Sequence, residues 1–224
     1  MKSLNQLLLD FNYEQNFKDD DFYVGKSNYY TFEIINKWPK WEKNILNISG
    51  EKFSGKTHLV NIFLKKFNGI KIESNLLNNE VLKTIKPFQC IVLEDLTLEI
   101  DENLIYTLFN IIDQDNKFLI VTSNKPIVEI DFKLQDLRSR TKNCLLAKIE
   151  NPDDELMFAI ILKNLSDRQI TLDKKLIDYI IKRIDRSYSK IFEFIYKIDE
   201  ISLKKIILEI SFLFYIKKLK SIVI

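Results

Sequence analysis

The sequence predicts an α/β protein: a parallel sheet with helices on both faces, followed by a small all-helical part. Three observations carry this. Five short apolar runs alternate with amphipathic segments up to residue 150, the pattern of strand–helix–strand units. After Asn151-Pro152 only helical spacing occurs. The first apolar run ends at a glycine and leads through a short loop into an amphipathic helix.

Residues 1–16 read as a flexible tail, and Phe17-Lys18-Asp19-Asp20-Asp21 as a polar linker. Thr31 to Ile35 has a short helical pattern, broken by Trp38-Pro39-Lys40-Trp41. Asn44 to Ile48 is the first strand. Lys56 to Phe67 is a helix with Leu59, Ile62, Phe63 and Phe67 on one face, and Gly69 reads as its C-cap. Ile70 to Ile72 is the second strand. Cys90 to Leu93, unbroken in its apolar character, is a third strand buried on both faces. Asn103 to Ile112 is a helix, Phe118 to Val121 the fourth strand and Leu145 to Ile149 the fifth. Glu155–Leu165, Leu172–Ile184, Tyr188–Ile198 and Leu203–Ile216 complete the chain as helices. The predicted organisation is therefore a tail over 1–16, a sheet domain over 17–150 and a helical domain over 151–224.

Composition excludes several classes. A hydrophobic content of 46% with 29% charge is that of a globular chain. The net charge of +2 gives no overall bias towards nucleic acid. A single His argues against His-based metal sites and most His-dependent triads. Cys90 and Cys144 lie in apolar contexts and read as reduced core residues, which suits a cytoplasmic protein. The first residues lack the apolar core of a signal peptide. The apolar stretch Ile206–Ile216 is far short of the roughly 20 residues that span a bilayer. The C-terminal segment Phe212–Ile224 is expected to pack as a helix on the preceding ones rather than to bind membrane.

Gly50-Glu51-Lys52-Phe53-Ser54-Gly55-Lys56-Thr57 matches G-x-x-x-x-G-K-[ST] in full, between a strand and a helix as that motif requires. The chain has only four glycines, and this octapeptide holds two of them. Backbone N–H groups from Gly50 to Gly55, Ser54 among them, would curl round a phosphate at a helix N-terminus. Lys56 would reach the β- and γ-phosphates and the Thr57 hydroxyl would ligate Mg²⁺. His58 follows directly on the helix surface, bordering this loop.

Such a loop needs acidic residues at the end of a neighbouring buried strand. Glu94 and Asp95 follow Cys90–Leu93 there. Glu94 is expected to hold the metal and Asp95 to polarise water, although a one-residue slip would exchange them. The fourth strand runs into Thr122-Ser123-Asn124. Asn124, or else Ser123, is expected to touch the γ-phosphate or its water. Leu137-Arg138-Ser139-Arg140 holds two of the five arginines; an Arg here suits the nucleotide of a neighbouring molecule better than its own. Further on, Lys190 or Arg186 would sense the phosphates from the helical part.

Together these motifs resemble the AAA+ family in its DnaA-type branch, over most of the chain. Phe22-Tyr23-Val24-Gly25-Lys26-Ser27-Asn28 resembles the box that borders the adenine in that branch, which implies contacts from Tyr23 and Val24. Thr122-Ser123-Asn124 resembles its sensor 1, Ser139-Arg140 its arginine-finger box, and Leu176–Lys190 its lid, with Lys190 where sensor 2 is normally Arg. The resemblance implies ADP or ATP with Mg²⁺ as cofactors. Gln6-Leu7-Leu8-Leu9-Asp10-Phe11 resembles the peptide that bacterial proteins insert into the DNA sliding clamp, with Leu9 and Phe11 as apolar anchors and Gln6 setting register. That peptide, and a chain end that leaves no room for a DNA-binding helix-turn-helix, point within the family to a regulatory inactivator rather than an initiator. The implied partners are the DnaA initiator and the clamp, with self-association and direct DNA contact left open. The implied activity is hydrolysis of DnaA-bound ATP, completed by Arg140, with weak turnover of its own. A helicase-loader-type ATPase that binds single-stranded DNA is the alternative. A small-molecule kinase fits less well, because the helical part follows the sheet instead of interrupting it.

Overall fold

The computed structural model describes residues 22–203. Five parallel strands form one sheet: β1 (Ile45–Ser49), β2 (Gly69–Glu73), β3 (Cys90–Leu96), β4 (Phe118–Ser123) and β5 (Leu145–Lys148), in the order β2-β3-β4-β1-β5. All five residues of β1 are buried, as are the first five of β3. Successive side chains point to opposite faces, so each apolar run feeds two cores. Ile91, Leu93, Leu119 and Val121 pack under α4 (Glu102–Gln114) with Leu108, Phe109 and Ile112. Leu46, Ile48, Val92 and Ile120 pack on the other face with Ile34 and Ile35 of α1 (Tyr29–Asn36) and Leu59, Val60 and Phe63 of α2 (Lys56–Lys66). Trp38 and Trp41, in the break after α1, close this core edge-on against Phe63 and Phe118. Both cysteines are free and buried, and burial pushes each thiol up to about 12.

The structure departs from the sequence expectation in four places. First, α3 (Asn79–Thr84) and α5 (Gln135–Thr141) are helices in segments assigned to no element. Each is short and places one or two residues in the core, Leu82 for α3 and Leu137 with Thr141 for α5. Second, Gly69 does not cap α2. It opens β2, and a Cβ there would lie 2.8 Å from Leu64 Cδ2 and 2.9 Å from the Cys90 carbonyl oxygen. The glycine is required by close approach, not by a turn. Third, the acidic strand is not the neighbour of the loop-bearing strand: β4 lies between β1 and β3. Fourth, β3 runs on through Glu94 and Asp95, and its register with β4 shifts between Leu93 and Leu96.

Beyond β5 the described residues form three helices: α6 (Asp154–Asp167), α7 (Lys174–Ile181) and α8 (Tyr188–Leu203). Asp153 caps α6 by accepting from the Leu156 amide, and Asp173 caps α7 by accepting from the Lys175 amide. Met157, Ile161, Leu165, Ile177, Ile180, Ile191, Phe194 and Ile195 make a separate apolar cluster. Leu156 and Tyr188 instead pack with the sheet-side cluster of Leu46 and Leu59. α8 runs on past the expected end at Ile198 to Leu203; the rest of the helix expected over Leu203–Ile216, the C-terminal segment and the tail motif Gln6, Leu7, Leu9 and Phe11 lie outside the described residues. Among the described residues, no helix is long and apolar enough to cross a membrane.

Candidate functional site

The octapeptide forms the loop its sequence requires. Gly50 leaves β1 and its amide donates to the Ser123 carbonyl at the end of β4, 3.2 Å away. Gly55 stands at the N-cap of α2 with φ +93°, where a side chain is strained and a Cβ would also meet Phe22 at 3.2 Å. The first turn of α2 carries no acidic residue, so its partial positive charge is left for a ligand. Lys56 is 6% exposed and folds back on the loop, donating to the carbonyls of Gly50 (2.8 Å) and Glu51 (3.0 Å). Burial pulls its pKa down against the opposing pull of Asp95, Glu94 and Glu51. The Ser54 hydroxyl is buried with no hydrogen-bond partner.

Thr57, Glu94 and Asp95 line one cavity of about 440 Å³, and Lys71 from β2 lines it with them. The bulge separates the two acids. Glu94 is 5% exposed; one oxygen pairs with Lys71 Nζ at 3.0 Å, and the other, Oε1, is buried without a partner. Asp95 turns out to the rim with φ +53°; its amide donates to the Thr122 hydroxyl (2.9 Å) and its carbonyl accepts from Ser74. Two acceptor side chains and a hydroxyl round one cavity suit Mg²⁺, which is commonly held by one or two carboxylates together with phosphate oxygens and water. Among the described residues no three His, Cys, Asp or Glu side chains form a ready metal cage.

The remaining expected residues are placed as follows. The Ser123 hydroxyl is occupied, accepting from Asn47 and donating to the Lys125 carbonyl. Asn124 is exposed just past the strand end. Arg140, on α5, pairs with Asp113 of α4 and lies over the Tyr106 ring, while Arg138 is half-exposed beside Asp131. Lys190 pairs with Glu193 one turn along α8, and Arg186 pairs with Asp154. Asn124, Arg140 and Lys190 are not among the residues lining the cavity. In the expected adenine box, the Asn28 side chain accepts from the Gly25 amide and donates to the Tyr23 carbonyl, fixing a loop on which Tyr23 and Val24 are exposed. Gly25 itself has room for a Cβ. His58 meets the Phe22 ring edge-on.

Three residues of the site had escaped the sequence reading. Asn47, inside β1, is fully buried and holds the turn after β4. Lys71 stands between two apolar residues of a short strand, an unexplained charge that was the available signal. Glu51, in the loop itself, reaches the helical part: its carboxylate accepts from the Ser187 hydroxyl (2.6 Å) and the amides of Tyr188 (2.9 Å) and Ser189 (3.3 Å). Two residues on, Phe53 stacks on Phe192 with ring centroids 4.9 Å apart. The start of α8 is thus seated on the loop.

A parallel sheet in this order, a phosphate-type loop after β1 and an acidic pair two strands away are the features of a P-loop domain of AAA+ architecture. No protein-family model matches the chain. It is 30% identical over 190 residues to the chromosomal replication initiator protein DnaA of Helicobacter hepaticus, covering 74% of this chain and 41% of that protein. DnaA of Thermoanaerobacter sp. strain X514 is 27% identical over 191 residues, with 74% and 43% covered. Domain III of Thermotoga maritima DnaA superposes with a TM-score of 0.69 at 19% identity, covering 89% of this chain and 95% of that one. The AMPPCP-bound DnaA of Aquifex aeolicus superposes with a TM-score of 0.66 at 23% identity, covering 83% and 64%. The structural likenesses establish the fold; with the sequence relatives they support the DnaA-type AAA+ family. The chain spans about two fifths of the length of the curated relatives it matches.

Proposed function

We propose that the chain is a DnaA-like AAA+ regulator that binds ADP or ATP with Mg²⁺ and promotes hydrolysis of DnaA-bound ATP from the sliding clamp. This is the role of the Hda-type inactivator. The observation that carries the nucleotide reading is the cavity that Thr57, at the end of the loop motif, shares with Glu94 and its buried, unpartnered oxygen; the loop itself holds a second unpartnered polar atom, the buried Ser54 hydroxyl. On this reading Lys56 leaves the Gly50 and Glu51 carbonyls to meet the phosphates, which replace those carbonyls as its partners. Thr57 and Glu94 hold Mg²⁺, which would neutralise phosphate charge, and Asp95 orients water at the rim. On the same reading Asn124 meets the γ-phosphate side, Tyr23, Val24 and His58 border the base side, and α6–α8 serve as the lid, with Lys190 exchanging Glu193 for phosphate. Glu94 is tied to Lys71, which favours weak turnover by the chain itself.

Arg140 is the residue that would act on DnaA. It exchanges Asp113 for the phosphates of a neighbouring DnaA molecule across the domain edge. Gln6, Leu7, Leu9 and Phe11 serve as the clamp-binding peptide. The test is hydrolysis of DnaA-bound ATP in the presence of clamp loaded on DNA. The chain accelerates it, and Arg140→Ala or the pair Gln6→Ala and Phe11→Ala removes the effect. Acceleration that survives Arg140→Ala sinks the finger assignment. Loss of clamp binding without loss of acceleration sinks the tether. Absence of acceleration, with tight binding of single-stranded DNA, favours the helicase-loader alternative instead.

A further inference from the structure

Lys71 and Glu94 are brought together by the sheet. β2 and β3 pair with Lys71 opposite Val92 and Glu73 opposite Glu94. Lys71 and Glu94 are therefore diagonal neighbours on one face, within reach of a long side chain. The ammonium sits 3.0 Å from Glu94 Oε2 and also donates to the side-chain oxygen Oδ1 of Asn61 on α2, 3.4 Å away. Glu94 Oε1 is buried in the cavity wall with no partner of its own. A buried carboxylate requires a counter-charge, and here the Lys71 side chain on the neighbouring strand β2 supplies it.

We propose that Lys71 is a resident competitor of the divalent ion for Glu94. This rests on the reading of the cavity as the nucleotide site. A cation arriving at the free oxygen of Glu94 meets a carboxylate already shared with an ammonium, and is repelled by that ammonium at short range. Ion binding and the Lys71–Glu94 pair therefore oppose each other, and the nucleotide is retained with less help from Mg²⁺ than the acidic pair alone would give. Lys71 is a positioning residue in this account. It acts through Glu94 and needs no contact with the nucleotide.

The experiment measures the affinity of the full chain for a fluorescent ADP analogue in saturating Mg²⁺ and in EDTA, and takes the ratio of the two dissociation constants. Lys71→Met removes the charge. Lys71→Gln removes it while keeping a donor for Glu94 Oε2, and serves if the Met variant does not fold. Either variant raises the EDTA-to-Mg²⁺ ratio about tenfold, a coupling of ordinary size for two linked ligands. Lys71→Arg, which keeps the charge, leaves the ratio as in the native chain. In a Glu94→Gln background, removal of Lys71 leaves the ratio unchanged. A native ratio in Lys71→Gln overturns the competition while the nucleotide reading stands. Failure of every variant and of the native chain to bind the analogue, with or without the ion, overturns both.

Discussion

At the scale of single residues, Asn47 shows how one amide positions half of the site. It has no exposed surface. Its side-chain nitrogen donates to the Val121 carbonyl (3.1 Å) and the Ser123 hydroxyl (2.9 Å), and its oxygen accepts from the Ile127 amide (2.8 Å). Asn47→Ala strands the buried Ile127 amide in the turn after Asn124 and removes the donor to the Val121 carbonyl in β4, at a cost of about 1–3 kcal/mol. Scanning calorimetry should record a melting point lower by several degrees. The side chain was invisible as a determinant in the sequence, where it interrupts an apolar run and its partners are 74 and more positions away. Glu94 and Asp95 were legible as a pair, but their roles were not. The bulge that buries one and exposes the other is a property of the β3–β4 register, which no local pattern encodes. The glycine-flanked loop was legible in full, because its chemistry is local and contiguous.

At the scale of elements, strands and long helices were readable wherever one period dominated, as in α4 with Ile105, Leu108, Phe109 and Ile112 on its buried face. α3 and α5 were not, since six or seven residues give too few repeats to distinguish a helix from a loop. The start of α8 carries a prediction of its own. Burial pushes the Glu51 carboxyl up, but the hydrogen bonds from Ser187, Ser189 and the Tyr188 amide outweigh it and hold it below its ordinary value. A carboxyl depressed in the folded state stabilises that state above its unfolded pKa, near 4.5, and ceases to do so as the pH falls through the folded value. The seat of α8 therefore holds at neutral pH and loosens in acid below the ordinary Glu range. Glu51→Ala removes the cap, worth about 1 kcal/mol. Amide hydrogen exchange at Tyr188 and Ser189 should become faster at neutral pH and lose its acid-dependent step; unchanged exchange would show that the carboxylate does not hold the helix.

At the scale of the whole molecule, a ligand that binds only the folded chain raises its stability by mass action. ADP at about a hundred times its dissociation constant contributes about 2.7 kcal/mol. For a chain of 224 residues, that moves the melting point up by about 5–10 °C. Lys56→Ala should abolish the rise, read against the variant's own ligand-free melting point, since the buried Lys56 also satisfies the Gly50 and Glu51 carbonyls. A full rise in that variant would place the nucleotide away from the loop.

The place of β4 between β1 and β3 has a consequence for what the site can accept. One strand end holds both rims: its Ser123 carbonyl takes the Gly50 amide, and its Thr122 hydroxyl takes the Asp95 amide. Two inter-strand steps separate the loop-bearing strand from the acidic one, about 10 Å at the ordinary sheet spacing. The sheet thus works as a ruler. The gap between phosphate loop and acid is set by the width of one strand rather than by any loop length. Side chains from the two rims, Thr57 on one and Glu94 with Asp95 on the other, close that backbone span onto one shared cavity, and no surface loop can rescale it.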